Sequence, residues 1–160
     1  MRSVVNHGPW GYPTTPLTKW TGVCIDCSND DFEVMLSFYS QLLGWKVDAG
    51  CSRPAECTHA GDHWASMRDP KPPVTGDNPH AMALLFQGER WYEPPVWPER
   101  PGAKDKMLHL EIYVDDVDAT VAHAVVAGGR VASDQPSDRD PSRLRIMLDP
   151  AGHPFCLYSD

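Results

Sequence analysis

The segment SNDDFEVMLSFYSQLLGWKV, residues 28–47, decides the fold of this chain. Its polar start, residues 28–31, is typical of a helix N-cap. The apolar residues of 32–43 fall on one face of an amphipathic helix, and Gly44 after them is a typical helix end. The residues before and after this helix are β-branched and aromatic, which indicates strands. The segment therefore predicts a β-α-β unit.

The same pattern returns in the second half of the chain. Residues 107–114 alternate between apolar and polar as a strand does, and Asp116 provides a second helix cap. The predicted second helix covers 117–127, and the pair Gly128-Gly129 ends it. Extended structure is predicted to resume after these glycines.

The two halves also share their spacing. The capping aspartate and the terminal glycine are 13 positions apart in both, from Asp31 to Gly44 and from Asp116 to Gly129. Each half then contains Met-x-Asp-Pro, at 67–70 and at 147–150. Two landmarks in the same order predict an internal duplication.

The duplication predicts an α+β protein of two tandem βαβββ modules. The predicted organisation is an irregular N-terminal strap at 1–16, a first module at 17–90, a Pro/Trp-rich connection at 91–106 and a second module at 107–160. At 160 residues, these parts make one compact domain.

Composition excludes several classes of partner. The formal net charge is -8 and no Lys/Arg run exists, which argues against a nucleic-acid partner. No apolar run reaches the roughly 18–20 residues of a membrane span, and residues 1–7 hold no signal-peptide apolar region. The five cysteines are an odd number, unevenly spaced. Free thiols in the cytoplasm are therefore expected.

Three motifs carry a resemblance to a known superfamily. They are Phe38-Tyr39-x-x-Leu42-Leu43-Gly44-Trp45, Leu108-His109-Leu110-Glu111, and Asp149-Pro150-Ala151-Gly152-His153. The chain resembles the vicinal-oxygen-chelate superfamily of glyoxalases, bleomycin-resistance proteins and dioxygenases, and most of all its glyoxalase-like domain branch. The resemblance implies a homodimer, and it implies the glyoxalase-like fold, in which the two modules form a cupped mixed sheet around a cavity. It leaves the reaction open, because the superfamily includes isomerases, lyases, dioxygenases and drug-binding proteins.

Active members of this superfamily hold a divalent metal by His, Gln or Glu side chains of the first and last strand of each module. By resemblance, His109 matches one ligand position, Cys156 replaces an expected Glu, and Gln87 falls nearest a third. The fourth position falls on Gly22 or on Cys24, depending on the alignment. An active metal-dependent glyoxalase I is therefore not supported. No cofactor is favoured; if Zn, Ni or Fe binds, the expected ligands are Cys24, Gln87, His109 and Cys156.

Strand alternation groups the candidates that lie in strands on one face of the sheet, and the tryptophans of the connection are expected to frame them. The predicted catalytic residues are His109 and Glu111, either of which could act as a general base. Cys156 beside His109 could also form a thiolate–imidazolium pair. The predicted ligand-binding residues are Asp26, Gln87, Trp91, Trp97, His109, Cys156 and Tyr158.

Two functions remain open from the sequence. The favoured one is the binding of a small organic molecule in the cup between aromatic rings and a few polar groups. The alternative is an enzyme of the lyase or isomerase type, either metal-dependent or working by metal-free acid/base chemistry.

Overall fold

In the described residues, each half of the chain builds a four-stranded sheet with one helix. The computed structural model describes residues 22–51, 63–70 and 83–160. The first module contains β1 (Gly22–Ser28), α1 (Phe32–Leu43), β2 (Lys46–Cys51), β3 (Trp64–Arg68) and β4 (Ala83–Glu89). The second contains β5 (Leu110–Tyr113), α2 (Val117–Val126), β6 (Arg130–Val131), β7 (Leu144–Leu148) and β8 (Pro154–Tyr158).

The two sheets have the same topology. The strand order is β1-β4-β3-β2 in the first and β5-β8-β7-β6 in the second. In each sheet the first strand pairs in parallel with the last, and the other neighbours are antiparallel. The predicted α+β fold of two tandem βαβββ modules is confirmed.

Local signals set the helix ends. Helix α1 has the predicted bounds, and Gly44 ends it with φ 69°, a left-handed conformation that glycine adopts without steric cost. Helix α2 ends one residue earlier than predicted, at Val126. At its start, the Asp116 carboxylate accepts a hydrogen bond of 2.9 Å from the backbone N–H of Ala119, as an N-cap does.

The main core lies between the helices and the sheets. Met67 on β3 and Met147 on β7, the methionines of the two tetrads, are both fully buried in it. The rings of Phe38 on α1 and Phe155 on β8 pack edge to face, with centroids 5.8 Å apart. The two modules therefore share one core.

Some predicted boundaries differ from the observed strands. Strand β5 begins at Leu110 rather than at 107, since Met107 and Leu108 are exposed and do not pair. The predicted strap at 1–16 lies outside the described residues, and the domain boundaries stay predictions. Residues 91–106 contain no helix or strand. No helix in the described part of the chain is long and apolar enough to cross a membrane.

Candidate functional site

Strand alternation gives each sheet a face turned away from the main core, which we call the cup face. In the second module, Glu111 and Tyr113 on β5 and Cys156 and Tyr158 on β8 lie on it, while Leu157 next to them is in the main core. In the first module, the cup face carries Gly22, Cys24 and Asp26 of β1 and Leu85, Gln87 and Glu89 of β4. The predicted alternation therefore holds in the strands that carry the candidates.

A cavity of about 400 Å³ extends between β1 and the segment that leads into β5. Its apolar and aromatic lining includes Val23, Ile25, Tyr39, Trp91, Tyr92 and Leu110. Its polar lining includes Cys24, Asp26, Glu89, Lys104, His109 and His153. Both modules and the connection contribute to this cavity.

His109, Glu111 and Cys156 come together at one end of the site. The ligand atoms of these three side chains all lie within 4.8 Å of one another. His109 Nε2 is 2.8 Å from Glu111 Oε1. Parallel pairing of β5 with β8 places Glu111 directly opposite Cys156. His109 lines the cavity, so the cluster borders it.

Burial and the nearby Glu111 carboxylate raise the pKa of the Cys156 thiol to about 12, and Lys106 opposes this only in part. The raised pKa favours the neutral thiol over the thiolate near pH 7. The His109 and Cys156 side chains are thus close enough for the predicted pair, but the surroundings of the thiol disfavour its charged form.

The first-module candidates form a separate group. Asp26 is exposed on β1 and lies opposite Gln87 on β4. The Gln87 amide donates a hydrogen bond of 2.7 Å to Glu89. Partial burial and the carboxylates of Asp26 and Glu89 raise the pKa of the Cys24 thiol. Asp26, Glu89 and Cys24 line the cavity, whereas the structure does not place Gln87 among its lining residues.

Gly22 has no room for a ligand side chain. A Cβ atom there would lie 2.6 Å from the backbone oxygen of Ala83 and 2.5 Å from Leu85 Cδ1. Real Cβ atoms essentially never approach other atoms so closely. Of the two positions considered for the fourth ligand, only Cys24 therefore carries a side chain that fits.

The aromatic candidates have three different surroundings. Trp91 lines the cavity and is 82% exposed, with the Arg90 guanidinium 4.9 Å from its ring centroid. Trp97 packs on the cup face of the second module in a small apolar cluster with Cys156. Tyr158 stacks edge to face with Tyr113 at 5.5 Å, and the structure does not place it in the cavity lining.

A polar network at the cavity wall was not among the predicted site residues. Tyr92 donates a hydrogen bond of 2.9 Å to the Ala151 backbone oxygen, and its hydroxyl lies 3.2 Å from His153 Nε2. His153 Nδ1 lies 3.0 Å from the buried Asp149 carboxylate, which accepts a hydrogen bond from Tyr39. The sequence signal for this network was the Asp-Pro-Ala-Gly-His turn, which indicated only a structural role.

The two phenols of this network keep their protons at neutral pH. Burial, followed by the charge of Asp149, raises the pKa of Tyr39 well above its ordinary value. The same two causes raise the pKa of Tyr92. Both phenols therefore remain hydrogen-bond donors at neutral pH.

The sequence of this chain matches a known protein family. A sequence model of the glyoxalase-like domain matches residues 22–158, which include all the described strands. The chain belongs to the glyoxalase-like domain family. It is thus a member of the vicinal-oxygen-chelate superfamily, as the motifs indicated.

Two proteins from other bacteria are similar to this chain in sequence. Protein YaeR of Escherichia coli is 28% identical over 128 residues, which cover 80% of this chain and 87% of YaeR. CFP32 of Mycobacterium tuberculosis is 28% identical over 134 residues, which cover 84% of this chain and 43% of CFP32. The chain thus spans less than half the length of CFP32.

Solved structures of the superfamily share the fold. A glyoxalase family protein from Enterococcus faecalis matches with a TM-score of 0.55 and 21% identity, over 86% of this chain and 94% of that protein. Glyoxalase I from Zea mays matches with a TM-score of 0.54 and 18% identity, over 86% of this chain and 44% of that enzyme. At these identities the likeness shows the fold alone.

Members of this superfamily often bind a divalent metal. The second module of this chain offers donor atoms for such an ion. His109, Glu111 and Cys156 offer one nitrogen, one oxygen and one sulfur within 4.8 Å. These are the three atom types that bind zinc in proteins. Cys24 is not part of this cluster. The donors of the second module fit a metal.

Proposed function

We propose that this glyoxalase-like protein binds a small organic molecule in the cavity between β1 and the segment leading into β5. The observation that carries the proposal is the cavity itself, about 400 Å³ in volume and lined by both modules. This volume lies within the range of about 300–1,000 Å³ that is usual for small-molecule sites.

The lining supports an organic ligand. Tyr39, Tyr92 and Trp91 provide aromatic surface, and Val23 and Ile25 add apolar surface. A few polar groups at fixed positions among such side chains are the usual means of orienting a small molecule. The lining also includes Met107 and Leu108, which are 97% and 62% exposed. Exposed apolar side chains beside a cavity favour contact with an apolar part of the ligand.

The test is a fragment screen against EDTA-treated protein, read by thermal shift and by ligand-observed NMR. Fragments that bind are then titrated against Trp91→Ala, which removes an exposed cavity-lining ring. We expect roughly fivefold weaker binding, or about 1 kcal/mol, from the lost aromatic contact. Val126→Ala is the matched control, because Val126 is 85% exposed on α2 and does not line the cavity.

Two results would contradict the binding proposal. One is a screen in which no fragment shifts the melting transition or shows NMR contact with the protein. The other is a set of bound fragments whose affinities fall equally in Trp91→Ala and Val126→Ala, since binding would then occur outside the cavity.

A second candidate function is catalysis of the lyase or isomerase type. The observation that favours it is the 2.8 Å contact between His109 Nε2 and Glu111 Oε1 at the border of the cavity. Such a pair can take a proton from a carbon beside a carbonyl group and return it to a neighbouring atom. A bound metal, if present, would polarise that carbonyl.

Proton exchange tests this second candidate without knowledge of the natural substrate. Small α-hydroxyketones are incubated with the protein in D₂O, and loss of the carbon-bound proton is followed by NMR. Exchange that is catalysed by the native protein and falls at least tenfold in Glu111→Gln supports catalysis. Exchange at equal rates with and without protein contradicts it for this substrate class.

The homodimer and the cytoplasmic location remain proposals, supported by the superfamily resemblance and by the free thiols. The described cysteines Cys24, Cys27 and Cys156 are all free. Sedimentation velocity on the full chain measures the oligomeric state directly: a mass near twice 17.8 kDa supports the dimer, and a mass near 17.8 kDa contradicts it.

A further inference from the structure

We infer that His109, Glu111 and Cys156 form a zinc site that is complete within the second module. This inference goes beyond the binding of an organic molecule and does not depend on it. It also differs from the four-ligand set that the superfamily resemblance implied, because Glu111 takes the place of both first-module ligands.

The backbone brings the three donors together. Glu111 and Cys156 are direct partners in the parallel pairing of β5 with β8, so their side chains leave the sheet on the same face. His109 precedes Glu111 by two residues, and its Nε2 lies 2.8 Å from Glu111 Oε1. Zinc bonds of about 2.0–2.3 Å in tetrahedral geometry place ligand atoms roughly 3–4 Å apart. The observed spread, within 4.8 Å, needs only small side-chain movements to reach it.

The donor types select the metal. A thiolate, an imidazole and a carboxylate favour zinc over magnesium or calcium, which prefer oxygen ligands. Three protein ligands leave a fourth position open, as in catalytic zinc sites. The half-exposed side chains of His109 and Glu111 leave the cluster accessible to a metal from solvent.

The charge balance also suits a divalent ion. One carboxylate and one thiolate neutralise a 2+ charge, which matters beside the apolar cluster of Ala132, Ile146 and Trp97 that surrounds Cys156. Lys106, the cation near the thiol, pairs with Glu99. Its charge is therefore already compensated when a metal binds.

Within the described residues, the first module does not complete a site of the superfamily type. Gly22 cannot carry a side chain without displacing Ala83 and Leu85. Cys24 lies outside the cluster of the three donors, and the Gln87 amide is bonded to Glu89. Glu111, which already contacts His109, is the third ligand that the structure supplies.

Cobalt binding tests the inference without any activity assay. The full chain is stripped with EDTA and titrated with Co²⁺, which reports a thiolate ligand by a charge-transfer absorption band. We expect one Co²⁺ per chain, a thiolate band, and displacement of cobalt by Zn²⁺. Cys156→Ser should abolish the band, and Glu111→Gln should weaken binding of Co²⁺ and Zn²⁺ at least tenfold.

Two variants serve as matched controls. Cys24→Ser and Gln87→Ala change the first-module candidates and should leave the cobalt affinity within twofold of the native value. Circular dichroism confirms that each variant is folded; Glu111→Gln keeps the shape of a half-exposed side chain and tests the site even if Cys156→Ser does not fold.

Three outcomes would overturn the zinc site. They are the absence of stoichiometric cobalt binding, a bound cobalt without a thiolate band, and a loss of affinity in Cys24→Ser as large as in Glu111→Gln. The fragment screen uses metal-free protein. The organic-ligand proposal and the zinc-site inference can therefore be contradicted independently of each other.

Discussion

Tyr39 on α1 donates a hydrogen bond of 2.9 Å to the carboxylate of Asp149 at the end of β7. Both residues are buried, and they lie 110 positions apart in the sequence. The same carboxylate accepts a hydrogen bond of 2.9 Å from the His153 backbone N–H. A buried carboxylate is stable only when its oxygens accept hydrogen bonds. Tyr39 of the first module therefore provides one of the hydrogen bonds that Asp149 of the second module needs.

Replacing Tyr39 by Phe should destabilise the protein by about 1.5–3 kcal/mol. The ring packing is kept, but a hydrogen bond to a charged and buried group is lost. Urea denaturation measures the change in the free energy of unfolding. Tyr113→Phe is the control, because Tyr113 donates a similar hydrogen bond to Asp160 at an exposed position and should cost much less. Equal losses in the two variants would contradict the role of burial.

The free energy of unfolding should fall as the pH rises above about 10. Burial and Asp149 raise the pKa of Tyr39 and Tyr92 in the folded protein, so these phenols keep their protons while the unfolded chain loses them. The unfolded state then binds fewer protons, and stability decreases with rising pH. Denaturation between pH 9 and 11 checks the slope.

Tyr92→Phe provides the comparison for this alkaline slope. It removes one shifted phenol, so its stability should depend less steeply on pH above about 10 than that of the native protein. The pKa of Cys27, which burial and then Asp31 raise to about 12, adds to the slope in both proteins. A native stability that is flat from pH 9 to 11 would disprove the shifts.

The duplicated methionines should have equivalent roles in stability. Met67 and Met147 are both fully buried at matching positions of β3 and β7. Substitution of either by Ala should cost about 2–5 kcal/mol from lost burial and a remaining cavity. Met107→Ala is the control, because Met107 is 97% exposed and should change stability by less than about 0.5 kcal/mol. A loss in only one of the two buried variants would argue against equivalent packing.

Gly22 should not tolerate a side chain. An added Cβ would meet the Ala83 backbone oxygen at 2.6 Å, so Gly22→Ala should shift β1 against β4 and cost about 1–3 kcal/mol. Cys24→Ala, two residues along the same strand face, should cost less because Cys24 is exposed. Chemical denaturation of both variants decides: a Gly22→Ala protein as stable as the native one would show that the first module has room for a ligand there.

The local signals of the sequence placed the ends of both helices to within one residue. The polar cluster before Phe32 and the glycine after Leu43 gave the bounds of α1, because caps and terminating glycines act within a few residues. The weaker boundary was the start of β5, where apolar residues at 107 and 108 extended the predicted strand. Such residues join a sheet only when a partner strand extends beside them. The pairing of β5 with β8 begins at Leu110, so residues 107 and 108 have no partner in β8.

The site was predictable only in part. Alternation correctly grouped His109 and Glu111 on one face, because it needs only the period of a strand. The contact of Glu111 with Cys156 depends on the register of β5 against β8, which distant residues set. Tyr92 and His153 meet in the cavity wall because the connection packs against the turn after Asp149, where the Tyr92 hydroxyl contacts His153 and the Ala151 backbone oxygen.

The sequence by itself determined the two modules, their helices and the side chains offered by each strand face. These features follow from short-range patterns of polarity, caps and glycines. Only the tertiary structure decided that Gly22 leaves no space for a ligand, that three donors meet within the second module, and that Tyr39 satisfies Asp149. Those outcomes depend on distances between residues far apart in the chain, and strand register and core packing fix such distances.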